Sequence, residues 1–103
     1  MNHYYKCFEV FGLAVYELAV SDHSLRAGLR KAIDEIFRSR EQDVPEQLQA
    51  KYSELIAFCK SGRQEYQEPW AEATVRQLTD EECIQLASDI IAFNNELYER
   101  KTF

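Results

Sequence analysis

Turn formers are scarce in this 103-residue chain: 3 glycines and 2 prolines, about 5% of residues against a usual ~12%. That leaves no room for a sandwich or barrel of many short strands, each needing its own turn. Gly12, Gly28 and Gly62 stand too far apart for a glycine-rich phosphate loop or an EF-hand loop in standard form, and no G-x-S-x-G occurs. Histidine is limited to His3 and His23. Without C-x-x-C or H-x-x-x-H there is no transition-metal pattern, and the E-x-x-H of di-iron bundles is missing. No cofactor or metal is expected. Cys7, Cys59 and Cys83 are odd in number and widely separated. A disulfide framework is not expected, which favours a reducing, cytoplasmic compartment. The longest apolar stretch, Cys7 to Val20, is interrupted by Glu9 and Glu17. Neither a membrane span nor a secretory signal is expected from it.

Positive charge is also in deficit. Lys plus Arg is 12 and Asp plus Glu is 18, for a net charge of −6. Residues 1–40 carry six bases and five acids, residues 41–77 four and seven, and residues 78–103 two and six. Direct nucleic-acid binding is disfavoured, because phosphate contacts need clustered cations. An acidic C-terminal half attracts a partner that is basic at its contact surface.

What the chain has in quantity is helix formers. Ala, Leu, Glu, Lys, Gln, Arg and Met account for 52 of 103 residues, whereas Val, Ile and Thr total 14. The composition predicts an all-α fold. It is read as one domain over 1–103, a small bundle of four main helices with a short additional helix near Trp70.

The first segment, His3 to Val20, repeats Tyr4, Phe8, Phe11, Val15 and Leu18 at spacings of 4, 3, 4 and 3, with Cys7, Val10 and Ala14 as a second stripe. Gly12 inside it is read as permitting a close helix crossing. The second, capped by Ser21 or Asp22 and running to about Ser39, places Leu25, Leu29, Ala32, Ile33, Ile36 and Phe37 inward. Within it Arg30 with Asp34, and Lys31 with Glu35, are spaced for i,i+4 pairs, leaving Arg26, Arg38 and Arg40 unmatched. The third starts at Asp43 with Glu46 as its capping-box partner, and ends at Ser61-Gly62 with Gly62 as a left-handed cap. A short helix follows from Pro69-Trp70 to about Gln77. Thr79-Asp80-Glu81-Glu82 is a capping box for the last, which runs to about Arg100. Leu86, Ile90, Phe93 and Leu97 form one of its stripes, and Ile84, Ile91 and Tyr98 a second.

His3 and Cys7 are the only residues spaced like a nucleophile and its base, and no third group orients them. The chain is therefore read as non-enzymatic. Its 13 aromatics (6 Tyr, 6 Phe, 1 Trp) exceed what one small core accommodates, and such side chains concentrate at protein interfaces. The expected function is regulation through binding another protein, of the inhibitor, anti-activator, immunity or adaptor type. Tyr4, Phe8, Phe11, Val15, Trp70, Ile84, Ile91 and Tyr98 are the expected contact residues. Two apolar stripes on the first and last helices also predict a homodimer, with Phe8, Phe11 and Val15 at its interface, or else Ile84, Ile91 and Tyr98. The alternative is a DNA-binding transcriptional regulator using the basic second helix through Arg26, Arg30, Arg38 and Arg40.

Overall fold

A computed structural model describes residues 5–20 and 24–99. Five α-helices follow in order: α1 (Tyr5–Val20), α2 (Leu25–Ile36), α3 (Gln49–Cys59), α4 (Trp70–Gln77) and α5 (Asp80–Glu99). Two single-turn 3-10 segments, Glu41–Asp43 and Glu46–Leu48, lie between α2 and α3. No strand occurs among the described residues. The fold is the all-helical bundle expected, with the short helix at Trp70 in place.

α1 is the centre of the packing, lying along both α2 and α5. Cys7, Val10, Phe11 and Ala14 are fully buried. Phe11 stacks against Phe93 of α5 at 4.7 Å between ring centroids and meets Tyr52 of α3 edge-on at 6.4 Å. Phe8 reaches Tyr98 at 6.2 Å. Residue numbers rise along α1 as they fall along α5, so the two helices are antiparallel. The Cα envelope measures 42 × 27 × 20 Å. Its short axis is about two helix diameters deep, so each helix keeps an outward face.

α5 begins as its sequence dictates. The Thr79 hydroxyl accepts from the Glu82 amide at 3.1 Å, and the Glu82 carboxylate accepts from the Thr79 amide at 2.8 Å. Two orphan donors of the first turn are thereby satisfied reciprocally. Thr79→Ala is expected to lower stability by ~1 kcal/mol, seen as a fall of roughly 4–8 °C in the thermal midpoint by circular dichroism. An unchanged midpoint would show that the cap carries no net energy.

Other boundaries differ from the sequence reading. Ser24 caps α2, accepting from the Ala27 amide at 3.1 Å, while Ser21 and Asp22 lie outside the described residues. α2 ends at Ile36 rather than Ser39. Ser39 is buried instead, its hydroxyl donating to the Ile36 carbonyl at 2.5 Å and sharing a 2.8 Å hydrogen bond with the Tyr52 hydroxyl. α3 starts at Gln49, six residues after Asp43. Pro45 holds the preceding Val44 extended, at φ −99° and ψ 135°, which a helix beginning at Asp43 cannot accommodate. The Asp43 carboxylate accepts from Arg40 instead.

Both expectations for glycine fail. Gly62 is not left-handed; the one positive φ among the described residues is Gln67, at 58°. Gly62 serves contact instead, because α4 passes directly over it. Nothing lies within 4 Å of where a Cβ on Gly12 would stand, so that glycine mediates no close crossing.

The 60–69 connection is tied down without a helix. Arg76 of α4 donates to both carboxylate oxygens of Glu68 at 2.9 Å, and Gln77 donates to the Arg63 carbonyl at 2.7 Å. The Arg76 guanidinium, and then the Glu65 amide, hold Glu68 below the ordinary carboxyl range.

Candidate functional site

Phe8 and Phe11, expected at an interface, belong to the core: Phe8 is 8% exposed and Phe11 0%. Val15 is half-buried and packs against that core. These three therefore cannot form the contact surface assigned to them. The stripe they belong to is the inward one, enclosed by α2 and α5. Tyr4 lies outside the described residues, as does His3. Trp70 is half-exposed at the start of α4, which packs on α2 and α3 and stands apart from the α1–α5 seam. Ile84, Ile91 and Tyr98 are exposed on α5. Their seven-residue spacing puts them on one flank, where Tyr98 meets Phe8 of α1 and Ile84 lies beside Ser24, Leu25 and Arg26 at the start of α2.

The outward face of α1 is apolar as well. Tyr5, Leu13, Tyr16 and Val20 are exposed, and with Glu9 they recur at spacings of 4, 4, 3 and 4. These are helix-face spacings, opposite the buried stripe. The sequence reading missed them. The signal lies in the positions between the two traced stripes, which both fall on the inward side of the helix. α1 thus turns aromatic and aliphatic side chains both inward and outward.

On its other flank α5 faces α3 across an open furrow of about 410 Å³. Leu55 and Phe58 of α3 and Leu86 and Phe93 of α5 line its apolar part, and Lys51, Glu54, Asp89 and Glu96 its polar rim. Lys51 donates to Glu96 at 2.7 Å, closing one end. Phe58 is 40% exposed beside the opening. The furrow was not foreseen, because it arises from the pairing of two helices far apart in sequence.

The basic residues of α2 and its C-terminal extension are largely engaged. Arg26 donates to the Val75 carbonyl at 2.6 Å and to Asp80 at 2.8 Å, joining α2 to α4 and α5. Arg38 pairs with Glu35 at 2.9 Å and Arg40 with Asp43 at 3.1 Å. The arginines expected to be unmatched are thus the paired ones. No ion pair joins Arg30 to Asp34 or Lys31 to Glu35 among the described residues. Asp34 instead sits above the ordinary carboxyl range, through desolvation and then the nearby Glu72 and Glu35.

The three cysteines are buried and free. Burial pushes the Cys7 and Cys59 thiols up to about 12 and raises Cys83 as well. At neutral pH neither Cys7 nor Cys59 supplies the thiolate a nucleophile needs. No group of three His, Cys, Asp or Glu side chains suited to a metal occurs among the described residues. No described helix is long and apolar enough to cross a membrane. Comparison with protein-family models, curated proteins and solved structures finds no match to the chain.

Proposed function

We propose that this protein is a non-enzymatic regulator that acts by binding another protein through the outer face of α1 and the exposed flank of α5. The observation that carries this reading is the exposed row Tyr5, Leu13, Tyr16 and Val20 on α1, together with exposed Ile84, Ile91 and Tyr98 on α5. Grouped exposed apolar side chains on a small protein mark interaction surfaces, and tyrosine supplies large contact area at low entropic cost. Support also comes from the engaged arginines, which leave Arg30 and Lys31 as the main free cations of α2 for a phosphate backbone.

The same face is where two copies of the chain would pair, in place of the inward Phe8–Phe11–Val15 stripe. Leu13→Lys/Tyr16→Lys changes only exposed positions. Sedimentation across a wide concentration range is expected to show a dimer that this variant abolishes. A single 12 kDa species throughout would reject self-association. Tagged wild-type protein is expected to capture a protein from its native extract that the variant loses. Equal capture by both proteins would overturn the assigned surface. Micromolar binding to random duplex DNA that falls steeply with salt would overturn the reading in favour of a DNA-binding regulator.

A further inference from the structure

We infer that the furrow between α3 and α5 is a second contact site, a docking groove for an amphipathic helix of a protein partner with an apolar stripe flanked by lysines or arginines. The inference rests on the reading that the protein works by binding proteins, but it concerns a different surface from the α1 face.

The shape comes first. Along α3 the lining residues are Lys51, Glu54, Leu55 and Phe58; along α5 they are Leu86, Asp89, Ala92, Phe93 and Glu96. Both sets follow three- and four-residue steps, so each helix offers one ridge. Tyr52 lies 6.2 Å from Phe93 between ring centroids, and the Lys51–Glu96 bridge spans the same end. The start of α3 therefore lies beside the later part of α5, and residues of the two helices border one trough. A third helix packs onto such a pair by seating its own ridge in the trough. The α5 lining spans residues 86 to 96, about 15 Å at 1.5 Å per residue. That matches two to three turns of a partner helix, with anchors at i, i+3 or i+4, and i+7.

Charge then selects the partner. α5 carries six carboxylates, Asp80, Glu81, Glu82, Asp89, Glu96 and Glu99, and no basic residue over its 20 residues. Among the described residues, three carboxylates at the trough face one ammonium, Lys51, which is bridged to Glu96. Asp89 accepts a hydrogen bond from the Gln85 amide, which leaves its charge intact. Glu54 has no cationic partner among the described residues and stands exposed on the α3 rim. Apolar residues below and uncompensated negative charge above complement a helix with leucine-type anchors and cationic flanks. An acidic or neutral helix would bring like charge or none to the same rim.

The test uses a fluorescein-labelled 16-residue Leu/Lys peptide with leucine at i, i+3, i+4 and i+7, and a Leu/Glu peptide of the same pattern. Anisotropy titrations of the intact protein are expected to show saturable binding of the Leu/Lys peptide and none of the Leu/Glu peptide. Glu54→Lys/Asp89→Lys is expected to weaken binding at least ten-fold. Glu81→Lys/Glu99→Lys makes the same change in net charge elsewhere on α5 and is expected to stay within two-fold of wild type. Phe58→Ala, at an exposed lining position, is expected to weaken binding about ten-fold without altering net charge. Amide shift changes in NMR spectra are expected along the facing sides of α3 and α5. Equal loss in the two charge variants, no loss in either, absence of saturable binding, or shift changes centred on α1 would each overturn the groove. Leu13→Lys/Tyr16→Lys leaves the trough untouched. Loss of partner capture by that variant, with failure of the peptide experiments, would reject the groove and retain the α1 reading.

Discussion

Gly62→Ala is expected to destabilise the protein by about 3 kcal/mol or more, at the upper end of what an overpacked contact costs. A Cβ at this position would lie 2.4 Å from the carbonyl carbon of Ala73 and from the Cα and nitrogen of Thr74. All three are backbone atoms of α4, so relief requires moving the helix itself. Two hydrogen bonds resist that movement. The Gly62 amide donates to the Thr74 hydroxyl at 3.1 Å, and that hydroxyl donates to the Cys59 carbonyl at 2.6 Å. Gly62 has no positive φ, so the effect is steric and not conformational. Gly12→Ala is the matched control. It adds the same methyl group to an open helical position, where alanine is worth up to ~1 kcal/mol over glycine. Urea titration is expected to move the midpoint down for the first variant and up for the second. A midpoint for Gly62→Ala within error of wild type would show that α4 does not rest on residue 62.

Phe11→Ala is expected to cost about 3–5 kcal/mol, the usual range for removing a buried phenyl ring. Phe11 is wholly buried and contacts rings from two helices, Tyr52 of α3 and Phe93 of α5. Those rings also face each other at 6.2 Å, so the three form one cluster that joins α1, α3 and α5. The void left by Phe11 cannot be filled by moving one neighbour without separating it from the other. Domains of this size have about 5–15 kcal/mol of stability in total. The variant is therefore expected to unfold at much lower urea, with an early loss of near-ultraviolet circular dichroism. Tyr16→Ala, on the outward face of the same helix, is expected to change stability by less than about 1 kcal/mol. Similar losses for the two variants would contradict the assignment of inward and outward faces.

That assignment shows what could be read from the chain alone. Five helical segments were legible because apolar spacing and caps are local. Thr79 and Glu82 are three residues apart, and their reciprocal hydrogen bonds follow from that. The start of α3 was misplaced because Asp43-x-x-Glu46 resembles a capping box, whereas Pro45 acts on Val44 and prevents a helix from beginning there. α1 carries apolar residues around most of its circumference. Periodicity identifies its stripes but not which one turns inward, since its neighbours α2 and α5 decide that. Arg26 could not be matched with Asp80 from sequence, being 54 residues away. The α3–α5 furrow has the same origin, with Lys51 and Glu96 separated by 45 positions.

The two ends of α4 answer acid in opposite senses. Its last turn holds the 60–69 connection through Arg76 and Glu68. Glu68 titrates below its ordinary value, so this fastening is complete above that value and fades as pH drops through the lowered one. Near its first turn, desolvation and then the Glu72 charge raise Asp34 of α2. There the folded state takes up a proton before the unfolded chain does, so mild acid removes a repulsion that is present at neutral pH. As acidity increases, protonation of Asp34 favours the folded state and protonation of Glu68 disfavours it. The two carboxyl groups beside the short helix are thus displaced in opposite directions, and their responses to acid oppose each other.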